Sequence, residues 1–313
     1  MRFASDNSGP VHPKVMQALA AANEGWAMPY GNDELTRKAA ERVRDAFEAP
    51  DAAVYFVATG TAANALALAT LTNPYETIFC TAQSHIHEDE CNGPEFYTGG
   101  AKLTLIASAD ARMDPSALDA EMTKHGRRDV HAPQTGPVSI TQVTERGTLY
   151  ALDHIRTIAE VAHRHGSTLH LDGARFANAC AALGCTAAEM SWKLGVDAVS
   201  FGGTKNGCMG VEAVIFFDPA HAWEFELRRK RGAHLFSKSR FLAAQMDAYM
   251  TDGLWFDLAS RANDATGNLA SELKSTPEVS FLFEPQANML FPVLSQAAHR
   301  RLHDAGAMYY LWD

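Results

Sequence analysis

Two short apolar segments of the chain end in residues that can do covalent or acid–base chemistry. The first, from Val196 to Gly207, is a predicted strand that runs into a tight glycine turn carrying Lys205. Burial at the end of a strand lowers the pKa of a lysine, and the neutral amine can then attack an aldehyde. A loop lysine that stood alone would more often be an ordinary solvated residue.

The second segment, Thr168 to Arg175, is a predicted strand that ends in Asp172, a glycine and Arg175. Open α/β sheets place ligand contacts at the carboxyl ends of their strands. A buried aspartate at that position can keep a heteroaromatic nitrogen protonated. Pyridoxal phosphate needs both a lysine for its aldehyde and an acidic partner for its ring nitrogen, so the two segments together predict a site for this cofactor.

A cofactor phosphate needs a site of its own, and the segment from Val54 to Asn64 offers one. It reads as a strand, a Thr-Gly-Thr turn containing Gly60 and Thr61, and a helix from Ala62 to Leu71. Backbone N–H groups at a helix N-terminus bind phosphate without a lysine. Turns of this composition are also common helix caps, and the Gly-Lys-Ser/Thr ending of a Walker loop is absent.

Seven motifs, in this order along nearly the whole chain, resemble the threonine aldolase branch of the β-eliminating lyase family, which are pyridoxal phosphate enzymes of fold type I. They are Ser5-Asp6-Asn7, Tyr30-Gly31-Asn32-Asp33, Ala58-Thr59-Gly60-Thr61, Ser84-His85, His170-Leu171-Asp172-Gly173-Ala174-Arg175, the lysine turn and Asn288-Met289-Leu290-Phe291. The resemblance implies an α/β fold with a mainly parallel sheet, helices on both faces and a smaller C-terminal α+β domain. It also implies a homotetramer, built from dimers that share active sites.

The resemblance implies a role for each matched residue. Lys205 would bind the cofactor, with Thr204 beside it, and Asp172 would face the ring nitrogen. His85 would stack on the ring face near the substrate hydroxyl, so that Lys205, His85 and Asp172 would be the catalytic residues. The remaining contacts would be those of Gly60 and Thr61 with the phosphate, of Arg175 with the phenolate oxygen or the substrate carboxylate, and of Ser5 with the substrate carboxylate.

The chain departs from the family pattern at two places. Many members carry a second histidine where this chain reads Gln142-Val143-Thr144-Glu145-Arg146-Gly147, so that Thr144 stands near the expected place. We therefore expect Thr144 and His87 near the substrate, with a water or His87 replacing the second histidine. The sequence ends at Asp313, before the strand and helix in which the family places another carboxylate-binding arginine. A truncated form is expected to keep the cofactor and to bind substrate weakly.

A different class of function is suggested by the cluster from His85 to Glu90. His85 and His87 on a strand or loop could share one ion with a carboxylate, which would make the protein a zinc hydrolase. That reading leaves Asp172, Lys205 and the Thr-Gly-Thr turn without a function. No metal is therefore predicted.

Composition favours a metabolic enzyme without nucleic-acid or membrane partners. The 313 residues, 47% of them hydrophobic, suffice for a large domain over 1–254 and a small one over 255–313. A net charge of −10 repels nucleic acid and anionic membranes. No apolar run matches a membrane helix and the N-terminus lacks a secretion signal, which predicts a cytoplasmic location. The five cysteines, odd in number and without a Cys-x-x-Cys pair, predict small buried side chains rather than disulfides.

The predicted activity is cleavage of L-threonine, L-allo-threonine and related β-hydroxy-α-amino acids to glycine and an aldehyde. The alternatives are another pyridoxal phosphate enzyme, either a β-eliminating lyase or an aminotransferase, and a cofactor-binding protein without catalysis.

Strands are predicted near residues 54–57, 77–80, 102–106, 138–143, 168–171, 197–201 and 211–217. Segments 281–283 and 289–293 are predicted to begin a smaller sheet.

Overall fold

The computed structural model describes residues 1–126 and 129–312. Its centre is a seven-stranded sheet with the strand order β1-β7-β6-β5-β4-β2-β3. The strands are β1 (Ala53–Val57), β2 (Glu76–Thr81), β3 (Lys102–Ile106), β4 (Gln134–Thr141), β5 (Leu169–Gly173), β6 (Ala198–Gly202) and β7 (Glu212–Phe216). Strand β7 is antiparallel to its neighbours β1 and β6, and the remaining pairs of adjacent strands in this sheet are parallel. The prediction of a mainly parallel sheet is therefore confirmed.

Helices occupy both faces of this sheet. They are α1 (Pro13–Ala22), α2 (Glu34–Ala46), α3 (Gly60–Leu71), α4 (His85–Glu88), α5 (Gly93–Thr98), α6 (Pro115–His125), α7 (Leu152–Arg164), α8 (Phe176–Leu183), α9 (Ala222–Arg231), α10 (Arg240–Met250), α11 (Leu254–Lys274) and α12 (Gln296–Asp304). Within the described part of the chain, no helix is both long and apolar enough to cross a membrane.

The alternation of side chains along a strand places successive residues in different cores. On β1, Val54 and Phe56 join the larger core, while Ala53 and Val57 belong to the core under α3. Successive side chains of a strand point to opposite faces, so both faces of a sheet covered by helices must be apolar. This is why the strands read as nearly continuous apolar runs in the sequence.

The elements that were predicted from apolar spacing form close to their expected positions. Asp33 caps α2 by accepting a hydrogen bond from the Thr36 N–H at 2.9 Å. Strand β4 begins earlier than expected, at Gln134, because Gly136 lets it approach β2 closely. A Cβ atom on Gly136 would lie 2.6 Å from the Thr77 carbonyl oxygen.

The C-terminal part contains less regular structure than the sequence suggests. Its two strands, β8 (Ser280–Phe281) and β9 (Pro292–Val293), are each two residues long and form a separate two-stranded sheet. They follow the long helix α11, whose first residue coincides with the predicted domain boundary. That boundary stays a prediction.

Of the five cysteines, four are buried as predicted, and the prediction is wrong for Cys91. Cys91 is exposed because it lies in the turn between α4 and α5, where its φ of 50° is left-handed.

Candidate active site

Strand β6 leads directly into the lysine turn. Lys205 lies in a single 3₁₀ turn, Thr204–Asn206, just after the strand ends at Gly202. Only glycine fits at that end, because a Cβ atom on Gly202 would lie 2.6 Å from the Ala174 carbonyl oxygen. The Thr204 hydroxyl accepts a hydrogen bond from the Val211 N–H at 3.1 Å, which anchors the turn to the segment before β7.

The surroundings of Lys205 favour its neutral amine. Burial lowers the pKa of Lys205 and the positive charge of Arg175 acts in the same direction, while the nearby carboxylates of Asp6, Asp172 and Glu212 oppose both. Arg175 and the three carboxylates therefore all lie close enough to the Lys205 amine to affect its pKa. A neutral amine is the form that reacts with an aldehyde.

Glu212, which the sequence did not single out, lies beneath this turn. It is the first residue of β7 and accepts a hydrogen bond from the Gly203 N–H at 2.9 Å. Burial raises the pKa of Glu212 to about 7. The lysine turn is thus hydrogen-bonded to a carboxyl group whose pKa is raised to about 7.

Asp172 and Lys205 reach the same edge of the sheet because β5 and β6 are adjacent and parallel. Asp172 lies opposite Ser200 in that pairing and is 3% exposed. One of its carboxylate oxygens accepts the Ala174 N–H at 3.0 Å, and the other accepts from the Asn64 side-chain amide at 2.7 Å. These bonds hold the carboxylate in one orientation.

His85 is connected to Asp172 through two buried side chains. Its Nδ1 lies 2.8 Å from Glu90 Oε1, and the same oxygen accepts from Asn64 Nδ2 at 2.9 Å. The hydrogen bond to Glu90 raises the pKa of His85, and burial raises the pKa of Glu90. Both of these pKa shifts favour a proton lying between His85 Nδ1 and Glu90 Oε1. The sequence analysis named the segments that contain Asn64 and Glu90 but predicted no role for either residue at the cofactor site.

A second glutamate holds the backbone of His85. The Glu145 Oε1 accepts the His85 N–H at 2.8 Å, and burial raises the pKa of Glu145 to about 7. Its neighbour Thr144 is fully buried, with its hydroxyl 2.6 Å from that of Thr148. The residue that reaches His85 is thus one position after the one singled out from the sequence. Contact of Thr144 with substrate stays a prediction.

The predicted anion site is open. Thr59 caps α3 by accepting the Ala62 N–H at 3.2 Å, and the N–H groups of Gly60 and Thr61 have no acceptor among residues 1–126 and 129–312. A Cβ atom on Gly60 would meet nothing within 4 Å. The two N–H groups are therefore accessible to a ligand.

Arg175 is held by the N-terminal segment. Its Nε donates to Asp6 Oδ2 at 2.6 Å and a terminal nitrogen donates to Oδ1 at 3.2 Å. The Asn288 amide donates to the same Asp6 at 3.3 Å. The neighbouring Ser5 accepts the Asn7 N–H at 3.1 Å. Three of the sequence motifs thus meet just beyond the end of β5.

The structure does not place His85 and His87 at one metal site. His87 is exposed, and the candidate group within the described residues consists instead of His85, Glu90 and Asp172, whose possible ligand atoms lie within 4.8 Å of one another. The amide hydrogens of Asn64 point at both carboxylates of this group. Such donors would repel a cation, so the hydrogen bonds already account for the arrangement.

A model of the beta-eliminating lyase family matches residues 2–296. The chain belongs to this family. Among relatives in the beta-eliminating lyase family, the low specificity L-threonine aldolases of Pseudomonas aeruginosa and of another Pseudomonas strain are 41% and 40% identical to it over 309 residues. Each alignment covers 99% of this chain and 88% of the relative.

Solved structures confirm the fold of the family. The Leishmania major threonine aldolase superposes with a TM-score of 0.93 at 27% identity, covering 100% of this chain and 90% of that one. An aspartate aminotransferase from Rhodobacter sphaeroides has a TM-score of 0.69 at 17% identity and covers 98% of this chain and 83% of its own. At that identity the second match shows the fold alone.

The residues present fit pyridoxal phosphate, the cofactor of this family. The two open N–H groups at the start of α3 suit a phosphate, and the space beside Gly60 leaves room for it. Asp172 is a buried carboxylate suited to a protonated ring nitrogen, and Lys205 is an amine whose pKa is lowered by burial.

Proposed function

We propose that this chain is a pyridoxal phosphate-dependent aldolase that cleaves L-threonine, L-allo-threonine and related β-hydroxy-α-amino acids to glycine and an aldehyde. The observation that carries the proposal is the meeting of Lys205, Asp172 and His85 at one sheet edge, in a chain 40% identical over 99% of its length to a low specificity L-threonine aldolase.

The cofactor would be held by residues of three elements. The N–H groups of Gly60 and Thr61 would bind its phosphate, Asp172 would keep its ring nitrogen protonated, and Lys205 would bind its aldehyde carbon. Arg175 would contact its phenolate oxygen or the substrate carboxylate, and Ser5 would assist with the carboxylate. When bound, the cofactor supplies the ring that accepts the electron pair released on cleavage of the Cα–Cβ bond.

The protein's own part in cleavage is to move one proton. With the Nδ1 proton of His85 directed at Glu90, the lone pair of the neutral ring lies on Nε2. Nε2, directly or through a water, would take the proton of the substrate β-hydroxyl while the Cα–Cβ bond breaks and the C–O bond becomes the aldehyde carbonyl. His87, exposed on the same short helix, is the other candidate near the substrate.

Borohydride reduction and peptide mapping test the cofactor assignment. Reduction of the protein with bound pyridoxal phosphate should fix the pyridoxyl group on Lys205. A label on Lys193, which pairs with Glu48 away from this edge, or on Lys230 would overturn the assignment.

The absorbance spectrum tests the activity. Glycine should change the spectrum of the bound cofactor, and L-threonine should yield glycine and acetaldehyde. Release of ammonia or of a keto acid from the same substrate would favour a β-eliminating lyase or an aminotransferase instead. A cofactor spectrum without any turnover would favour a binding protein.

A further inference from the structure

Glu90 is a buried carboxylate whose two oxygens differ in their hydrogen bonding. The residue is 4% exposed. Its Oε1 receives both hydrogen bonds, from His85 and from Asn64, while its Oε2 is buried without a hydrogen-bond partner among the described residues. Leaving a carboxylate oxygen buried and unpaired costs free energy. The two hydrogen bonds at Oε1 must therefore hold the carboxylate in place.

Asn64 joins this carboxylate to a second one. The residue lies on α3 and is 2% exposed, and its Nδ2 donates to Glu90 at 2.9 Å and to Asp172 at 2.7 Å. Only the amide nitrogen can face two carboxylates, since an amide oxygen would be repelled by both. Its two hydrogens are thereby both donated, and its oxygen is buried without a donor among residues 1–126 and 129–312.

We propose that Glu90 is a positioning residue for His85, fixing the ring with its Nδ1 proton toward Oε1 and its Nε2 lone pair toward the substrate, and that Asn64 ties this unit to Asp172. The imidazole and the partner of the ring nitrogen would then be aligned as one rigid assembly. The catalytic part of the inference rests on the proposed function, whereas the hydrogen-bonded chain does not.

The charge of Glu90 has a measurable consequence at the neighbouring ring. A carboxylate bonded to Nδ1 stabilises the protonated imidazole more than a neutral acceptor does. Glu90→Gln can keep the acceptor at Oε1 and put its amide where Oε2 has no partner, so it removes the charge with little change of shape. Glu88→Gln is the matched control, because Glu88 is exposed on the same short helix.

The experiment is an NMR titration of the full-length protein with carbon-13 at histidine Cε1, with and without pyridoxal phosphate. The His85 signal is assigned by its loss in His85→Asn. In Glu90→Gln, the proton affinity of His85 should fall by about tenfold, the lower end of what a charge-assisted hydrogen bond contributes. In Glu88→Gln it should not move. An unchanged His85 titration in Glu90→Gln would overturn the proposal, whatever the activity.

The kinetic readout separates this inference from the proposed function. If His85 takes the β-hydroxyl proton, the acidic limb of the kcat/KM profile for L-threonine should move to lower pH in Glu90→Gln. A titration shift without any aldol cleavage by the parent protein would leave the positioning role standing and remove the proposed reaction. A profile that stays in place despite the titration shift would show that His85 is not the base.

Two further variants keep the test decisive if the amide variant does not fold. Glu90→Asp keeps the negative charge but moves it away from His85 by the length of one methylene group. The proton affinity of His85 should therefore fall, by less than in a variant without the charge. An unchanged proton affinity would contradict the proposal. Asn64→Ala should alter the pH dependence of the bound cofactor's absorbance by freeing Asp172. An unaltered spectrum would disprove the link between the two carboxylates.

Discussion

Four carboxyl groups lie near the edge of the sheet, and each has its own set of hydrogen bonds, although Asp172 and Glu90 share the Asn64 amide. Asp172 accepts from a backbone and a side-chain amide, Glu90 from an imidazole, Glu145 from the backbone of His85 and Glu212 from the lysine turn. Burial raises the pKa of Glu90 and raises the pKa of Glu145 and of Glu212 to about 7. Their roles are therefore set by their hydrogen bonds, and single substitutions can separate them.

At Asp172, a neutral amide should abolish most turnover while sparing the fold. Asp172→Asn cannot keep a pyridine nitrogen protonated, and loss of one electrostatic stabiliser of this kind costs on the order of 10²–10³ in rate. The measurement is kcat for L-threonine beside the thermal melting curve. Near-parental turnover would exclude the proposed contact with the ring nitrogen.

The two histidines of α4 should differ. His85→Ala removes an imidazole bonded to a buried carboxylate, whereas His87→Ala removes an exposed one. We expect the first variant to lose on the order of 10²–10⁴ in kcat, the range for general acid–base groups, and the second to lose much less. The opposite ranking would assign the proton transfer to His87.

Glu212 should make the stability of the cofactor-free protein depend on pH. Its folded pKa, about 7, lies above the ordinary 4.5, so its contribution is fully present below pH 4.5, declines as the unfolded state ionises first, and is lost above pH 7. Between those limits the parent should lose roughly 3 kcal/mol of unfolding free energy relative to Glu212→Gln. Urea unfolding at several pH values measures this, with the exposed Glu160→Gln as control. Parallel curves for parent and Glu212→Gln would contradict it.

At the scale of elements, α3 contributes both its N-terminus and a side chain from its second turn. The first N–H groups are open, and Asn64 reaches the two carboxylates one turn further on. A shift of the whole helix would therefore affect the phosphate and the ring nitrogen together. The helix is buried along nearly all of its length, which prevents such a shift.

The opening at the start of α3 can be tested with one methyl group. Gly60→Ala places a Cβ atom where nothing lies within 4 Å, so the melting temperature should not fall. The methyl group would crowd a bound phosphate, and we expect the affinity for pyridoxal phosphate to fall by about tenfold, or about 1.4 kcal/mol. The control is Gly202→Ala, which should lower stability because its Cβ would strike the Ala174 carbonyl. Unchanged cofactor affinity in Gly60→Ala would place the phosphate elsewhere.

Much of this arrangement could be predicted from the sequence because strand ends are local features. Lys205 and Asp172 follow apolar strands, and parallel neighbours bring such ends together. Asn64, Glu90, Glu145 and Glu212 could not be found in this way. They lie in a helix, a turn, a loop and a strand, and only tertiary packing decides that they are buried beside His85 and Lys205 rather than solvated. Two local signals existed: Glu145 follows Thr144, where a family histidine was expected, and Glu90 ends the cluster of histidines and carboxylates that begins at His85.

At the scale of the whole molecule, several large apolar side chains are exposed in one region. Trp26, Met28 and Phe236 belong to two segments joined by the hydrogen bond from the Tyr30 N–H to the Ser237 carbonyl at 3.0 Å. Exposed apolar side chains gathered in this way are typical of protein contacts. The homotetramer that the family resemblance implies stays a prediction, and its mass by light scattering should be four times 34.0 kDa.

Helix α9 ends in a basic run, Arg228 to Arg231, one residue of which is predicted from the family resemblance to bind a neighbouring subunit's cofactor phosphate. Arg228 and Arg229 pair with glutamates and Lys230 lies over Tyr30, whereas Arg231 is exposed and has no ion pair within residues 1–126 and 129–312. If it binds a neighbour's cofactor phosphate, Arg231→Ala should weaken pyridoxal phosphate binding by about tenfold to a hundredfold. Lys14→Ala, an exposed control, should not. Equal affinities in all three proteins would remove the shared-site proposal.

The ion pair of Arg175 with Asp6 changes what an arriving amino acid encounters. The guanidinium is already occupied by a carboxylate, so a substrate that binds there would replace one carboxylate by another and leave the number of ion pairs unchanged. Dissolved salt screens the pair that is lost and the pair that is formed alike. Substrate affinity at this arginine should therefore be nearly independent of ionic strength, as an exchange of partners is, and selection among carboxylates would depend on their shape.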